Sequence, residues 1–180
     1  MHRCLMSLAV AAAVAVPPAL AQSPYAGLQS RPVKALSDQQ IADLRAGRGM
    51  GLALPAELNG YPGPSHVLDL ADQLGLSAEQ RAAVRHQFEA MKAETIPIGE
   101  RLIGQEAALD ALFAAHKATS TSVAAAAAEI GATEGKLRAA HLKYHLATLD
   151  LLQPAQVERY AELRGYRDGM PMHHHHHPGD

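Results

Sequence analysis

The sequence predicts an all-α protein, a long antiparallel helical hairpin with shorter flanking helices. Three observations predict it. Leu76-Ser77-Ala78-Glu79-Gln80 and Leu152-Gln153-Pro154-Ala155-Gln156 repeat one pentapeptide, Leu-x-x-x-Gln, each time where a helix should start. Between the two copies, apolar residues recur at alternating spacings of four and three, as in paired helices. Apolar alternation with period two runs nowhere for long, so no strand competes.

Taken in order, residues 1–21 read as an export signal. His2 and Arg3 are positive, Leu5 to Val16 is apolar, and Ala19-Leu20-Ala21 is a small-x-small cleavage site. The apolar run is too short to span a bilayer. The single cysteine, Cys4, lies inside this signal. The mature chain is therefore expected to be soluble, periplasmic and without a thiol, which excludes disulfides, a Cys-based zinc site and a cysteine nucleophile. A net charge of −2 gives no footing for nucleic acid.

Residues 22–36 read as an extended N-terminal segment, and residues 37–166 as one helical domain. Its first short helix has Ser37 as cap, Gln40 as the reciprocal partner and Leu36 as a staple, and ends in Gly47-Arg48-Gly49-Met50-Gly51. That glycine segment follows a helix and lacks Lys-Ser/Thr, so it reads as a hinge rather than a phosphate loop. A single turn is expected at Pro55–Leu58, then a turn at Asn59-Gly60-Tyr61-Pro62. A helix over about 65–74 should stop at Gly75.

Ser77 and Gln80 cap the first long helix, about 78–116. Its stripe is Val84, Phe88, Met91, Thr95, Ile98, Leu102, Gln105, Leu109 and Leu112, and Pro97 predicts a kink or a break. Residues 117–122 form the turn. The return helix, about 123–152, carries Val123, Ala127, Ile130, Glu134, Leu137, His141, Tyr144, Thr148 and Leu151. Pro154 opens a last helix with Val157, Tyr160 and Leu163 inward and Gly165 at its end. Residues 167–180 read as a disordered Met/His-rich tail.

Chemistry concentrates in histidine. His141 and His145, spaced i, i+4, put two imidazoles on one helix face, a spacing that can share a metal. His66 is the first candidate for a third ligand, with His86 or Glu89 behind it. The competing reading makes His141 a hydrogen-bonded seam residue and His145 a surface residue. In the tail, Met170, Met172, His173, His174, His175, His176 and His177 offer thioether and imidazole ligands; a tract followed by Pro178-Gly179-Asp180 in a chain that keeps its export signal reads as native rather than as a tag. Neither a nucleophile elbow nor a triad context is present, so no enzyme and no required cofactor are expected.

An export signal, a helical body, the doubled motif and a ligand-rich end together resemble the LTxxQ family of periplasmic proteins. That family includes Spy/CpxP-like chaperones and CnrX/ZraP-like heavy-metal sensors. The resemblance covers roughly residues 65–166; Ser77 stands where the family usually has Thr, and Gln153 has lost the hydroxyl. It implies a Spy/CpxP-like bent hairpin, often a homodimer, without enzymatic activity. It also implies one of two functions. The first is binding or sensing of a divalent transition metal (zinc, copper, nickel or cobalt), with a membrane-bound signalling partner. The second is an ATP-independent holdase for unfolded exported proteins in the envelope stress response. For the latter, Arg81, Arg85, Lys92, Arg101, Lys136, Arg138 and Lys143 are the cations expected along the long helices.

Overall fold

The computed structural model describes residues 23–166. The export signal and the Met/His tail expected from the sequence lie outside the described residues. Within them the protein is all-helical: α1 (Asp38–Arg45), α2 (Leu54–Glu57), α3 (Pro64–Asp69), α4 (Ala78–Ala114), α5 (Ser120–Leu149) and α6 (Pro154–Leu163), preceded by a 3₁₀ turn at Leu28–Ser30. The long helices α4 and α5 pack against each other as the antiparallel hairpin. None of these helices is long and apolar enough to cross a membrane.

Local chemistry places most helix starts. Ser37 and Ser77 each accept from the N–H three residues on, while Gln40 and Gln80 return a bond to the cap N–H. Thr119 and Ser122 do the same for α5, so this helix begins three residues before the sequence reading placed it. Serine at the third helical position is shorter than the Glu or Gln that marks a capping box in sequence. Residues 23–36 are not extended. They fold into turns, anchored by buried Val33 and Leu36 and by the Lys34–Asp110 ion pair at 3.2 Å. The third helix is shorter than expected, giving way after Asp69 to turns that end at Gly75, whose φ of +61° suits glycine. Pro97 neither breaks nor ends α4, which continues through it.

Two apolar clusters lie along the hairpin. One joins Val33, Leu36 and Leu44 to Leu102, Ile103, Ile130 and Leu137. The other, at the base, joins Val67, Ala71, Leu74 and Leu76 to Val84, Leu152 and Tyr160. Buried Thr95 and Thr148 return their hydroxyls to Met91 and Tyr144 carbonyls within their own helices, so neither leaves an unmet donor. The α5 stripe is buried as expected at Ile130, Leu137, His141, Tyr144 and Thr148, but Ala127 and Glu134 are exposed, and Thr133 is buried beside Glu134 instead. A carboxylate in the seam would have needed a partner, and the helix turns it to solvent.

Candidate functional site

The polar centre of the fold is the carboxylate of Glu57, at the end of the four-residue α2 and only 7 % exposed. Its Oε1 accepts from the Tyr160 hydroxyl of α6 and from Tyr166 at 3.2 Å, with Arg164 Nε at 3.5 Å. Its Oε2 accepts from the Gly63 N–H at 3.2 Å and lies 3.7 Å from His145 Nδ1. Burial and this carboxylate push the Tyr160 hydroxyl far above its ordinary range, so it serves as a donor throughout. Glu57 thus ties the 57–63 loop to α5 and α6. A buried carboxylate survives only with partners of this kind.

His145 is held by the same loop. Its Nδ1 lies 2.7 Å from the Tyr61 carbonyl, to which it donates. His145 is buried, not a surface residue, because the 57–63 segment covers it. Gly63 makes the cover fit: a Cβ there would meet the imidazole at 2.8 Å.

One turn earlier, His141 is 2 % exposed and its Nε2 has no hydrogen-bond partner. The seam reading expected a hydrogen-bonded ring at this position; the ring is in the seam, but Nε2 is not satisfied. Its Nδ1 edge lies against Gly49 of the glycine loop. Desolvation, followed by the neighbouring His145, lowers the His141 pKa from 6.5 and keeps the ring neutral.

His145, Glu57, Arg164 and Tyr166 line a cavity of about 580 Å³ under the glycine loop. His66 lines it as well, with 43 % of its side chain exposed and its Nδ1 3.8 Å from Asp69. His86 and Glu89 are exposed on α4. Among the described residues, no group of three or more His, Cys, Asp or Glu is gathered to hold a metal. His173, His174, His175, His176 and His177 lie outside the described residues. The structure therefore brings His141 and His145 together at the hairpin centre and leaves His66 at the cavity rim.

The basic residues do not form one stripe. Arg81 is spent on Asp72 at 2.7 Å and Lys143 on Glu94 at 2.5 Å. Lys92 lines the cavity under the glycine loop, Arg138 a second cavity, and Arg101 and Lys136 a third. Sequence reasoning missed Glu57, Tyr61 and Tyr166. Only the position of an acid between Pro55 and the Asn59-Gly60 turn hinted at Glu57.

No family model matches the chain, and no curated protein or solved structure matches it at a significant level.

Proposed function

We propose that this is a periplasmic, non-enzymatic heavy-metal-binding or sensing protein of LTxxQ type, with His141 and His145 as its ligands within the helical hairpin. One observation carries the reading: a buried, unpartnered His141 Nε2 lies one helical turn from a His145 whose Nδ1 is already engaged. Leaving a buried nitrogen unmet costs about 1–3 kcal/mol, a cost that a bound cation would remove. The engaged Nδ1 is the orienting bond that metal-ligating histidines ordinarily make. The lowered pKa of His141 keeps its ring a neutral donor, as zinc, copper, nickel and cobalt require.

Two imidazoles are half of a four-coordinate set. Glu57 is committed to its own partners and does not fit as a third ligand. The tail does fit. Tyr166 lines the same cavity as His145, and 7 to 11 residues separate it from His173 and His177. At about 3.3 Å per residue that length spans roughly 20–35 Å when extended. At 2 % exposure His141 is reached only if the packing around it moves, which couples binding to a change that a partner can read.

Cobalt(II) titration of the full chain tests this by calorimetry and visible absorption. Stoichiometric binding with a ligand-field spectrum is expected, weakened at least about tenfold by His141→Ala and also by replacing the five tail histidines with Ala. Equal affinity of the wild type and His141→Ala would remove the hairpin site.

A second reading, the holdase, has one specific support. Leu54, Leu58, Tyr61 and Leu146 are exposed around the cover over His145, at 51 %, 49 %, 37 % and 54 %. Loss of protection of an aggregating client on Leu54→Ser with Leu58→Ser, with metal binding intact, would favour it.

A further inference from the structure

The cavity under the glycine loop has a charge pattern that metal capture does not use. Its wall carries three permanent cations, Arg48, Lys92 and Arg164, against one carboxylate, Glu57. Glu57 is already engaged by Arg164, His145 and the two tyrosines. Arg48 is tied to Asp43 at 2.6 Å, outside this wall. Lys92 makes no ion pair among the described residues; its ammonium sits 5.5 Å from the Phe88 ring centroid. The wall is thus positive in a chain whose net charge is −2.

The glycine loop adds a second set of donors. Gly47, Met50 and Gly51 have φ of +66°, +44° and +81°. Among the described residues the successive N–H groups of Gly49, Met50 and Gly51 make no hydrogen bond. Successive free N–H groups in left-handed turns form anion-binding concavities. The apolar part of the wall is Ala53, Leu54, Phe88 and Met91, beside Ser65, His66, His145 and Tyr166. A volume of about 580 Å³ is of the size that takes small organic ligands. The neighbouring cavity of about 630 Å³ is different: Asp43 and Glu134 outnumber Arg138 there.

We propose that this cavity binds an amphiphilic organic anion, a carboxylate head on an apolar chain, with the head at Lys92 and the glycine-loop amides and the chain against Phe88 and Met91. The proposal rests on Lys92 and the loop amides and not on His141, although His145 lines the same cavity. Its test is calorimetric titration of the full chain with laurate below its micelle concentration, with dodecyltrimethylammonium, and with vesicles of phosphatidylglycerol. Laurate is expected to bind one per chain, at least about tenfold tighter than the cationic amphiphile. Lys92→Glu should weaken laurate about tenfold or more, and Lys92→Met, which keeps the stem's packing, should weaken it in the same direction. Lys136→Glu, the same charge change away from this cavity, should alter affinity less than about twofold. Equal binding of the two amphiphiles, equal loss in Lys92→Glu and Lys136→Glu, or binding to vesicles without binding to laurate would each overturn it. Cobalt(II) affinity read on the same variants separates failure here from failure of the metal site.

Discussion

The side-chain amides of Gln80 and Gln156 exchange two hydrogen bonds: Gln80 Nε2 donates to Gln156 Oε1 at 2.8 Å, and Gln156 Nε2 donates to Gln80 Oε1 at 3.0 Å. Each amide also accepts from the N–H of its own helix cap, Ser77 at 3.1 Å and Gln153 at 2.9 Å. Each gives its remaining proton to a carbonyl, Leu151 at 2.9 Å and Leu74 at 3.4 Å. The repeated pentapeptide is therefore a clasp. Its two glutamines close the starts of α4 and α6 against each other, 76 residues apart.

The clasp predicts coupling. Gln80→Ala and Gln156→Ala should each cost about 1–2 kcal/mol, since each leaves half-buried polar groups unmet. The double variant should cost less than the sum by about 1 kcal/mol, because the second loss removes a partner already missing. Urea denaturation of the four proteins measures this. Strict additivity would show that each glutamine serves only its own helix cap.

Glu57 predicts a larger loss. Glu57→Leu strips the buried Tyr160 hydroxyl of its acceptor and leaves Arg164 and His145 without their carboxylate. A destabilisation of about 3 kcal/mol is expected, in the range for breaking a buried charged network. Glu57→Gln keeps the shape and one acceptor and should cost less. Urea midpoints and the near-ultraviolet signal of Tyr160 and Tyr166 report it.

The neutral His141 predicts a pH dependence with a definite sign. Its folded pKa lies below 6.5, so as pH falls below 6.5 the unfolded chain takes up a proton that the folded chain does not. Stability contributed by the neutral ring is full above that value and falls as pH drops toward the lowered folded pKa. The slope from this one group is at most about 1.4 kcal/mol per pH unit. His141→Leu should flatten the decline between pH 7.5 and 5. An unchanged slope would mean that the ring does not stay neutral.

The parts of this structure legible in sequence are those whose causes are local. Ser37 with Gln40, and Ser77 with Gln80, are three residues apart and set their helix starts without help. The α4 stripe is local too, and Val84, Met91, Thr95 and Leu102 are buried where its period places them. The His141/His145 pair was visible as a spacing, but its surroundings were not. His145 is buried by Tyr61 and Glu57, more than 80 residues away, and no period marks such a cover. Glu57 itself is recognised by Tyr160 and Tyr166, 103 and 109 residues downstream. A lone acid in a four-residue helix reads as surface until those tyrosines close over it.

Gly99 and Gly104, both inside α4, predict opposite signs for one substitution. Alanine in a helix interior is ordinarily better than glycine by about 1 kcal/mol, because it loses less backbone freedom. At Gly104 nothing lies within 4 Å of the added Cβ, so propensity alone acts and Gly104→Ala should stabilise by about 1 kcal/mol. At Gly99 the Cβ would sit 2.8 Å from the Leu44 carbonyl oxygen and 3.2 Å from its carbon. Those are backbone atoms near the end of α1, which cannot rotate aside as a side chain would. The helix must move away, and Leu44, 2 % exposed, loses its packing in the upper cluster. Overpacking of this kind costs about 1–3 kcal/mol, enough to overcome the propensity gain. Gly99→Ala should therefore lower the urea midpoint while Gly104→Ala raises it. If both raise it, α1 is not docked on α4 through the Leu44 backbone.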